Sequence, residues 1–201
     1  MTIDRPTTRP PGCAEALLRL LLKPEDRESV SGDLLEEYRE SIRSSRGETA
    51  ADVWYLAQVA GFLWRITWMW AVVFSGASLA RMLYDWLVPT TDFAARAAVS
   101  TWAGVSVFFI VAVWAGWRSR SFVAGPVVAA VTSQVAALMS VAGAAVLFAV
   151  WHDPATMRAV AVSGGLGEVF FLPFMMIIPA VIVGSVGGAA GSVARRLLRA
   201  G

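Results

Sequence analysis

The sequence predicts an all-α membrane protein, in which a short cytoplasmic helical module precedes a bundle of about four transmembrane helices. Hydrophobic residues make up 57% of the 201 residues and charged residues only 16%, with a mean hydropathy of +0.60. Soluble domains contain about 25% charged residues. The charge is also uneven, since residues 1–61 carry a net charge of −3 and residues 62–201 a net charge of +5. The chain therefore has a polar N-terminal part and a strongly apolar remainder.

Four apolar stretches are long enough to cross about 30 Å of hydrocarbon at a rise of about 1.5 Å per residue. They cover roughly residues 62–80, 97–117, 124–151 and 166–194. An arginine at the centre of a span costs about 3 kcal/mol on the insertion scale, so we expect the hydrocarbon core to begin after Arg65. Aromatic residues on either side of Arg65 predict a collar at the headgroup boundary. They are Trp54, Tyr55, Trp64, Trp68 and Trp70.

The polar part divides into a leader and a helical module. Three prolines and few apolar residues predict that residues 1–12 are a disordered leader. The module covers residues 13–61, and the transmembrane domain covers residues 62–201. Within the module, Ala14–Leu22 predicts a short apolar helix, and Pro24 ends it and opens a second helix at its first turn. An apolar stripe follows at four-residue intervals. It consists of Val30, Leu34, Tyr38 and Ile42.

A third helix is predicted to begin after the polar segment 44–47 and to run toward the membrane. Thr49 and Asp52 stand three residues apart, which resembles a capping box with Asp in the place of Glu. The third helix would join the module directly to the first span.

Charged residues opposite the apolar stripe, together with Tyr38 of the stripe itself, form a candidate docking face. This face consists of Arg27, Asp33, Glu36, Glu37, Tyr38 and Arg39. Two interpretations remain open at this point. The charges either belong to a solvated helix surface, or they dock a partner with a basic surface.

The distribution of arginines between the short loops predicts the topology. Arg118 and Arg120 separate the second and third spans, and further arginines follow the fourth span at 195, 196 and 199. Because short cytoplasmic loops are enriched in basic residues, both termini and the loop at 118–120 are predicted to be cytoplasmic.

The fourth span predicts close helix packing. Gly184, Gly187, Gly188 and Gly191 form overlapping patterns of small residues, which let helix backbones approach within the bundle or across a homo-oligomer. Pro173 and Pro179 each remove a backbone donor, so we expect bends there. Gln134, in the third span, is expected to bond a neighbouring helix.

No constellation of residues predicts catalysis, a metal or another cofactor. His152, Asp153 and Glu168 are too few to form a metal site or a proton relay. The single cysteine, Cys13, excludes an intramolecular disulfide. No basic groove-reading helix is present, so nucleic acid is not an expected partner. We therefore expect a non-enzymatic protein.

The segments AEALLRLLLKPEDRES, SGDLLEEYRESI and VWYLAQV resemble the permease prefix domain 2 of bacteria, which precedes permeases of macrolide-exporter-like ABC transporters. The resemblance covers about residues 10–64. The matching residues are Leu17, Leu18, Leu21, Leu22, Pro24, Glu25, Arg27, Gly32, Asp33, Leu34, Glu36, Glu37, Tyr38 and Trp54. No segment between the spans is long enough for the large periplasmic domain of those permeases.

The resemblance implies a bacterial inner-membrane protein with a cytoplasmic helical module. The favoured hypothesis is an accessory or regulatory protein, anchored in the lipid bilayer, whose N-terminal helices dock an ABC-type permease or another cytoplasmic or membrane protein. The alternative is a small transporter or channel subunit that oligomerises through the glycine-rich fourth helix.

Overall fold

The computed structural model describes residues 9–88, 93–150, 157–158, 161 and 165–200, and these residues are almost wholly helical, with no β-strand among them. The predicted all-helical fold is thus confirmed. Its elements are α1 (Gly12–Leu21), α2 (Arg27–Glu37), a π-helical turn (Tyr38–Ile42), α3 (Arg43–Arg46), α4 (Glu48–Leu87), α5 (Phe93–Ser119), α6 (Ala124–Val150), α7 (Gly165–Phe170), α8 (Leu172–Met175) and α9 (Ile177–Ala200).

In the described part of the chain, four helical segments are long and apolar enough to cross a membrane, as predicted. They are Glu48–Tyr84, Thr101–Ser119, Ala124–Val150 and Leu172–Leu198. α9 packs along α5 and α6, and α6 also packs against α4. Their shared core consists mainly of small and β-branched side chains.

Helix α4 is much longer than one membrane crossing requires. Its 40 residues extend about 60 Å, whereas about 20 residues cross the hydrocarbon. The predicted boundary between residues 61 and 62 falls inside this uninterrupted helix. Its first half is therefore available to carry α1 to α3 as a rigid continuation of the first span.

The start of α4 differs from the predicted capping box. Gly47, with a φ of +83°, is the N-cap residue, and no side chain caps the helix. Glycine adopts this left-handed conformation without steric cost. Asp52 lies one turn inside α4, and its carboxylate accepts a hydrogen bond from Tyr38.

Helix α2 begins three residues later than predicted. Pro24 and Glu25 lie in the turn between α1 and α2, and Asp26 is the N-cap residue. The π-helical turn then follows at Tyr38–Ile42. Residues spaced by four drift about 40° per step around an α-helix of 3.6 residues per turn. The wider π-helical turn reverses part of this drift, which keeps Ile42 on the same face as Val30 and Leu34.

The fourth candidate span is interrupted twice, which confirms that it is not one straight helix. The breaks lie at Phe171 and Met176. Each precedes a proline, so that Pro173 is the second residue of α8 and Pro179 the third residue of α9. Proline is tolerated in a first helical turn because its missing N–H would have no intrahelical acceptor there.

Candidate interaction surface and helix junction

A separate apolar core fixes the N-terminal helices to the first half of α4. Its buried residues are Ala14, Leu18, Leu22, Tyr38, Ala51, Tyr55 and Val59. The predicted stripe takes part in it, because Val30, Leu34 and Ile42 are partly buried against these residues. The N-terminal helices and α4 thus form one packed body.

Tyr38 lies at the centre of this core. Its ring is fully buried and makes an edge-on contact with the ring of Tyr55, with 5.9 Å between the centroids. Its hydroxyl donates a hydrogen bond of 2.7 Å to Oδ1 of Asp52. Burial, together with this bond to Asp52, raises the pKa of Tyr38 to about 12. Tyr38 therefore does not belong to the exposed docking face that the sequence predicted.

The remaining residues of the predicted docking face divide into two groups. Asp33, Glu36, Glu37 and Arg39 are exposed on α2 and the π-helical turn, together with Glu40. We call these five residues the outer face. Arg27 is instead half-buried and directed toward the bundle, where its Nη2 donates a 2.7 Å hydrogen bond to the carbonyl oxygen of Ser119. Four carboxylates and one guanidinium thus form the outer face.

The turn between α1 and α2 meets the end of the bundle at the junction of α5 and α6. Besides Arg27, Glu25 takes part, with its Oε2 3.7 Å from Nη2 of Arg120. Leu21 of α1 is buried in the core of the bundle. A backbone hydrogen bond lowers the pKa of Glu25, and the nearby charges of Arg120, Lys23 and Arg195 lower it further. Glu25 is therefore a carboxylate at neutral pH.

At this end of the bundle, arginine side chains lie over tryptophan rings. The guanidinium of Arg118 lies 5.5 Å above the ring of Trp114, and that of Arg195 lies 5.8 Å above Trp117. Arg195 Nη1 also donates a hydrogen bond of 3.3 Å to the carbonyl oxygen of Trp117. Such cation–π contacts hold a cation beside an apolar surface without an acidic partner.

The four glycines of the fourth span lie in close helix contacts of the bundle. A Cβ atom at Gly184 would lie 2.8 Å from the Cβ of Ala129, and one at Gly187 would lie 2.8 Å from the carbonyl oxygen of Phe109. At Gly188 it would lie 2.9 Å from the Cα of Gly125. Gly191 is equally close to α5, since a Cβ there would lie 2.9 Å from the backbone nitrogen of Trp117.

All four glycines are buried against α5 and α6 of their own chain, which is one of the two arrangements that the sequence predicted. A homo-oligomer built on the same glycines stays a prediction. Sequence reasoning also missed their counterparts, Gly116 and Gly125, which face α9. The signal was present, because Gly116 follows Ala112 and Gly125 precedes Ala129 at the same four-residue spacing of small residues.

Gln134 bonds a neighbouring helix, as predicted. Its Nε2 donates a 3.2 Å hydrogen bond to the carbonyl oxygen of Phe174 in α8. The break at Met176 follows this carbonyl, so the amide of Gln134 replaces a partner that a continuous helix would have supplied.

An apolar groove of about 650 Å³ lies between α4 and α5. Its walls are mostly valine, alanine and phenylalanine, with Arg81 and Tyr84 on the α4 side. His152 and Asp153 lie outside the described residues, and so does the side chain of Glu168. Among the described residues, no three His, Cys, Asp or Glu side chains are grouped as metal ligands would be.

Comparison with family models, curated proteins and solved structures finds no match to this chain. The resemblance of residues 10–64 to a permease prefix domain therefore stays a prediction.

Proposed function

We propose that this protein is an accessory or regulatory protein of a bacterial inner membrane, whose four-helix bundle anchors a cytoplasmic docking module. The observation that carries the proposal is the outer face. It presents Asp33, Glu36, Glu37 and Glu40 to solvent on helices that a buried core attaches to α4. A charged surface held rigidly at one end of a membrane anchor is suited to binding a partner close to the bilayer.

The chemistry of the outer face defines the partner that we propose. Four carboxylates around Arg39 complement a surface rich in lysine or arginine, and long-range attraction would steer such a partner toward the membrane. The cytoplasmic side of an ABC-type permease is the partner that the sequence resemblance suggests. The rival hypothesis, a transporter subunit that oligomerises through α9, receives no support from the buried glycines.

Site-specific crosslinking in intact cells tests the docking function. A photoreactive amino acid in place of Glu37 should give one discrete adduct, and the same residue in place of Glu28 should not. Glu28 is also exposed on α2, but it lies about 2.5 turns from Glu37 and therefore on the opposite side of the helix. Adding Glu36→Lys should abolish the adduct at 37. Equal adducts at both positions, or an adduct that survives Glu36→Lys, would contradict docking through the outer face.

The proposed topology places both termini in the cytoplasm. A reporter that is active only in the periplasm should give a signal when fused after Leu87, and none when fused after Ser119 or after residue 201. A signal at Ser119 would show that the outer face lies on the opposite side of the membrane, where no cytoplasmic partner could reach it.

A further inference from the structure

The basic residues at the junction come from three separate parts of the chain. Arg118 lies in the last turn of α5, and Arg120 lies in the turn that follows. Arg195 lies in the last third of α9, and Lys23 lies in the turn before α2. Of these four, Arg120, Lys23 and Arg195 lie close enough to Glu25 to lower the pKa of its carboxyl group. We call Lys23, Arg118, Arg120 and Arg195 the junction cluster.

The junction cluster carries more positive charge than its neighbours neutralise. In the described part of the chain, the ion pair of Arg120 with Glu25 is its one contact with a carboxylate, at 3.7 Å and with the Glu25 side chain 53% exposed. Arg118 and Arg195 lie over tryptophan rings instead. The aromatic rings hold the guanidinium groups in place but carry no net negative charge.

The turn after α5 also holds Arg120 in an unfavourable backbone conformation. Arg120 has a φ of +57°, a left-handed conformation that costs energy for a residue with a Cβ atom. The neighbouring Ser119 anchors this turn, because its hydroxyl donates to the Ala115 carbonyl and accepts from the Ser121 amide. The fold therefore holds Arg120 beside the other cations in a backbone conformation that a free arginine would seldom adopt.

The cluster also lies at a defined level of the bundle. The candidate spans Thr101–Ser119, Ala124–Val150 and Leu172–Leu198 all end or begin beside it. In a bilayer this level is occupied by headgroups, and basic pockets between helices at this level bind anionic lipids. Trp114 and Trp117 are the amphipathic side chains favoured at the same boundary.

We infer that the junction cluster binds the phosphate of an anionic phospholipid headgroup. The lipid acyl chains would lie along the apolar surface of the bundle, and the phosphate would neutralise the excess charge of Arg118, Arg120 and Arg195. Because Glu25 and Arg27 join the same turn to α5, an anionic lipid bound here would contact the helices that carry the outer face. The inference rests on the membrane location proposed above.

Two substitutions with opposite expected effects on lipid binding distinguish a lipid site from ion pairing within the protein. Arg118→Gln removes a charge that makes no described hydrogen bond or ion pair, and should weaken binding of phosphatidylglycerol about fivefold. Glu25→Gln removes the competing carboxylate, and should strengthen that binding by a similar factor. If Arg120 served only to pair with Glu25, neither substitution would change lipid binding.

The experiment uses the full chain purified in detergent, titrated with phosphatidylglycerol or phosphatidylcholine and examined by native mass spectrometry. Arg46→Gln is the matched control, since Arg46 is an exposed arginine of α3 outside the candidate spans. We expect one phosphatidylglycerol to be retained in preference to phosphatidylcholine, with the opposite effects of Arg118→Gln and Glu25→Gln and no effect of Arg46→Gln. Equal retention of the two lipids, or effects of the same sign for both variants, would overturn the inference.

Inorganic phosphate distinguishes a lipid headgroup from a free anion. Phosphate in excess should displace phosphatidylglycerol only weakly, because it lacks the acyl chains. Displacement at low millimolar concentration would instead identify a site for a soluble phosphate and would overturn the lipid assignment. Extraction with alkaline carbonate tests the membrane location by itself. A chain that carbonate solubilises contradicts the proposed function, whereas a resistant chain with unchanged lipid binding contradicts only this inference.

Discussion

Two contacts in this chain hold helices together by opposite means. Where α9 meets α5 and α6, the contact is made by glycines such as Gly188, whose backbone approaches that of Gly125. In the N-terminal core, the largest buried side chains are Tyr38 and Tyr55. Burial of large apolar side chains stabilises helix contacts in water, but lipid removes this driving force, so that close van der Waals contact must replace it. We infer that the two contacts follow the surroundings proposed for them, which are water around the N-terminal core and the membrane around the bundle.

The strongest test of this comparison is a large side chain at the glycine contact. Gly188→Leu should destabilise the bundle by about 3 kcal/mol or more, because even its Cβ would meet the Cα of Gly125 at 2.9 Å and the carbonyl oxygen of Phe122. Thermal unfolding in detergent, followed by tryptophan fluorescence, measures the effect.

Two matched variants control for the introduced leucine. Gly76→Leu makes the same change in α4 at a position where a Cβ would meet nothing within 4 Å, and Ile182→Leu changes a side chain of α9 that is 62% exposed. Both should unfold close to the wild-type temperature. Similar losses for Gly188→Leu and Gly76→Leu would show that the close approach does not stabilise the bundle.

The N-terminal core should respond to a buried charge in the way that a water-soluble core does. Tyr38→Asp places a carboxylate beside Asp52 in an apolar site and should cost several kcal/mol, about 3 or more. The expected result is rapid proteolysis of residues 14–61 while the spans stay resistant. Val53→Asp, at a side chain of α4 that is 62% exposed, should leave the protease pattern unchanged. Resistance of Tyr38→Asp would mean that this core does not hold the module together.

A smaller effect concerns the hydroxyl of Tyr38 alone. Tyr38→Phe keeps the ring but removes the hydrogen bond to Asp52, which should cost about 1.5 kcal/mol at neutral pH. The pKa of Tyr38 is raised from 10.0 to about 12, so the wild type loses stability as pH rises from about 10 to 12, because the unfolded phenol ionises first.

Because phenylalanine does not ionise, the stability difference between wild type and Tyr38→Phe should narrow over that pH range. Unfolding temperatures of the two proteins at pH 8 and pH 11.5 measure it, and the other titrating groups contribute equally to both. A difference that stays constant with pH would contradict a buried, hydrogen-bonded phenol.

For both contacts, the residues that take part could be predicted from the sequence, but the residues they contact on other helices could not. The apolar stripe and the glycines of α9 follow from helical spacing and from residue size, which are properties of short segments. By contrast, spacing within one helix could not reveal that Asp52 accepts from Tyr38, or that Arg27 reaches the carbonyl of Ser119 across 92 residues. From the sequence, Tyr38 was placed in the stripe because of its four-residue spacing from Leu34. It was also placed on the docking face, where Glu37 and Arg39 are its neighbours in the sequence. Packing against Tyr55 decides between these two positions.

The smallest expected effect concerns the one strongly polar side chain of α6. Gln134→Leu removes the hydrogen bond to the carbonyl oxygen of Phe174, where the break at Met176 interrupts the helix. Hydrogen bonds between membrane helices contribute about 0.6 kcal/mol on average, so the unfolding temperature should fall by only a few degrees. Gln134→Asn is the matched control, since it keeps the amide but shortens the side chain by one methylene, and should lose as much stability as Gln134→Leu. If the leucine variant were as stable as the wild type while the asparagine variant were less stable, the wild-type bond would contribute nothing beyond packing. The bond of Gln134 to Phe174 would then be weaker than the bond of Tyr38 to Asp52.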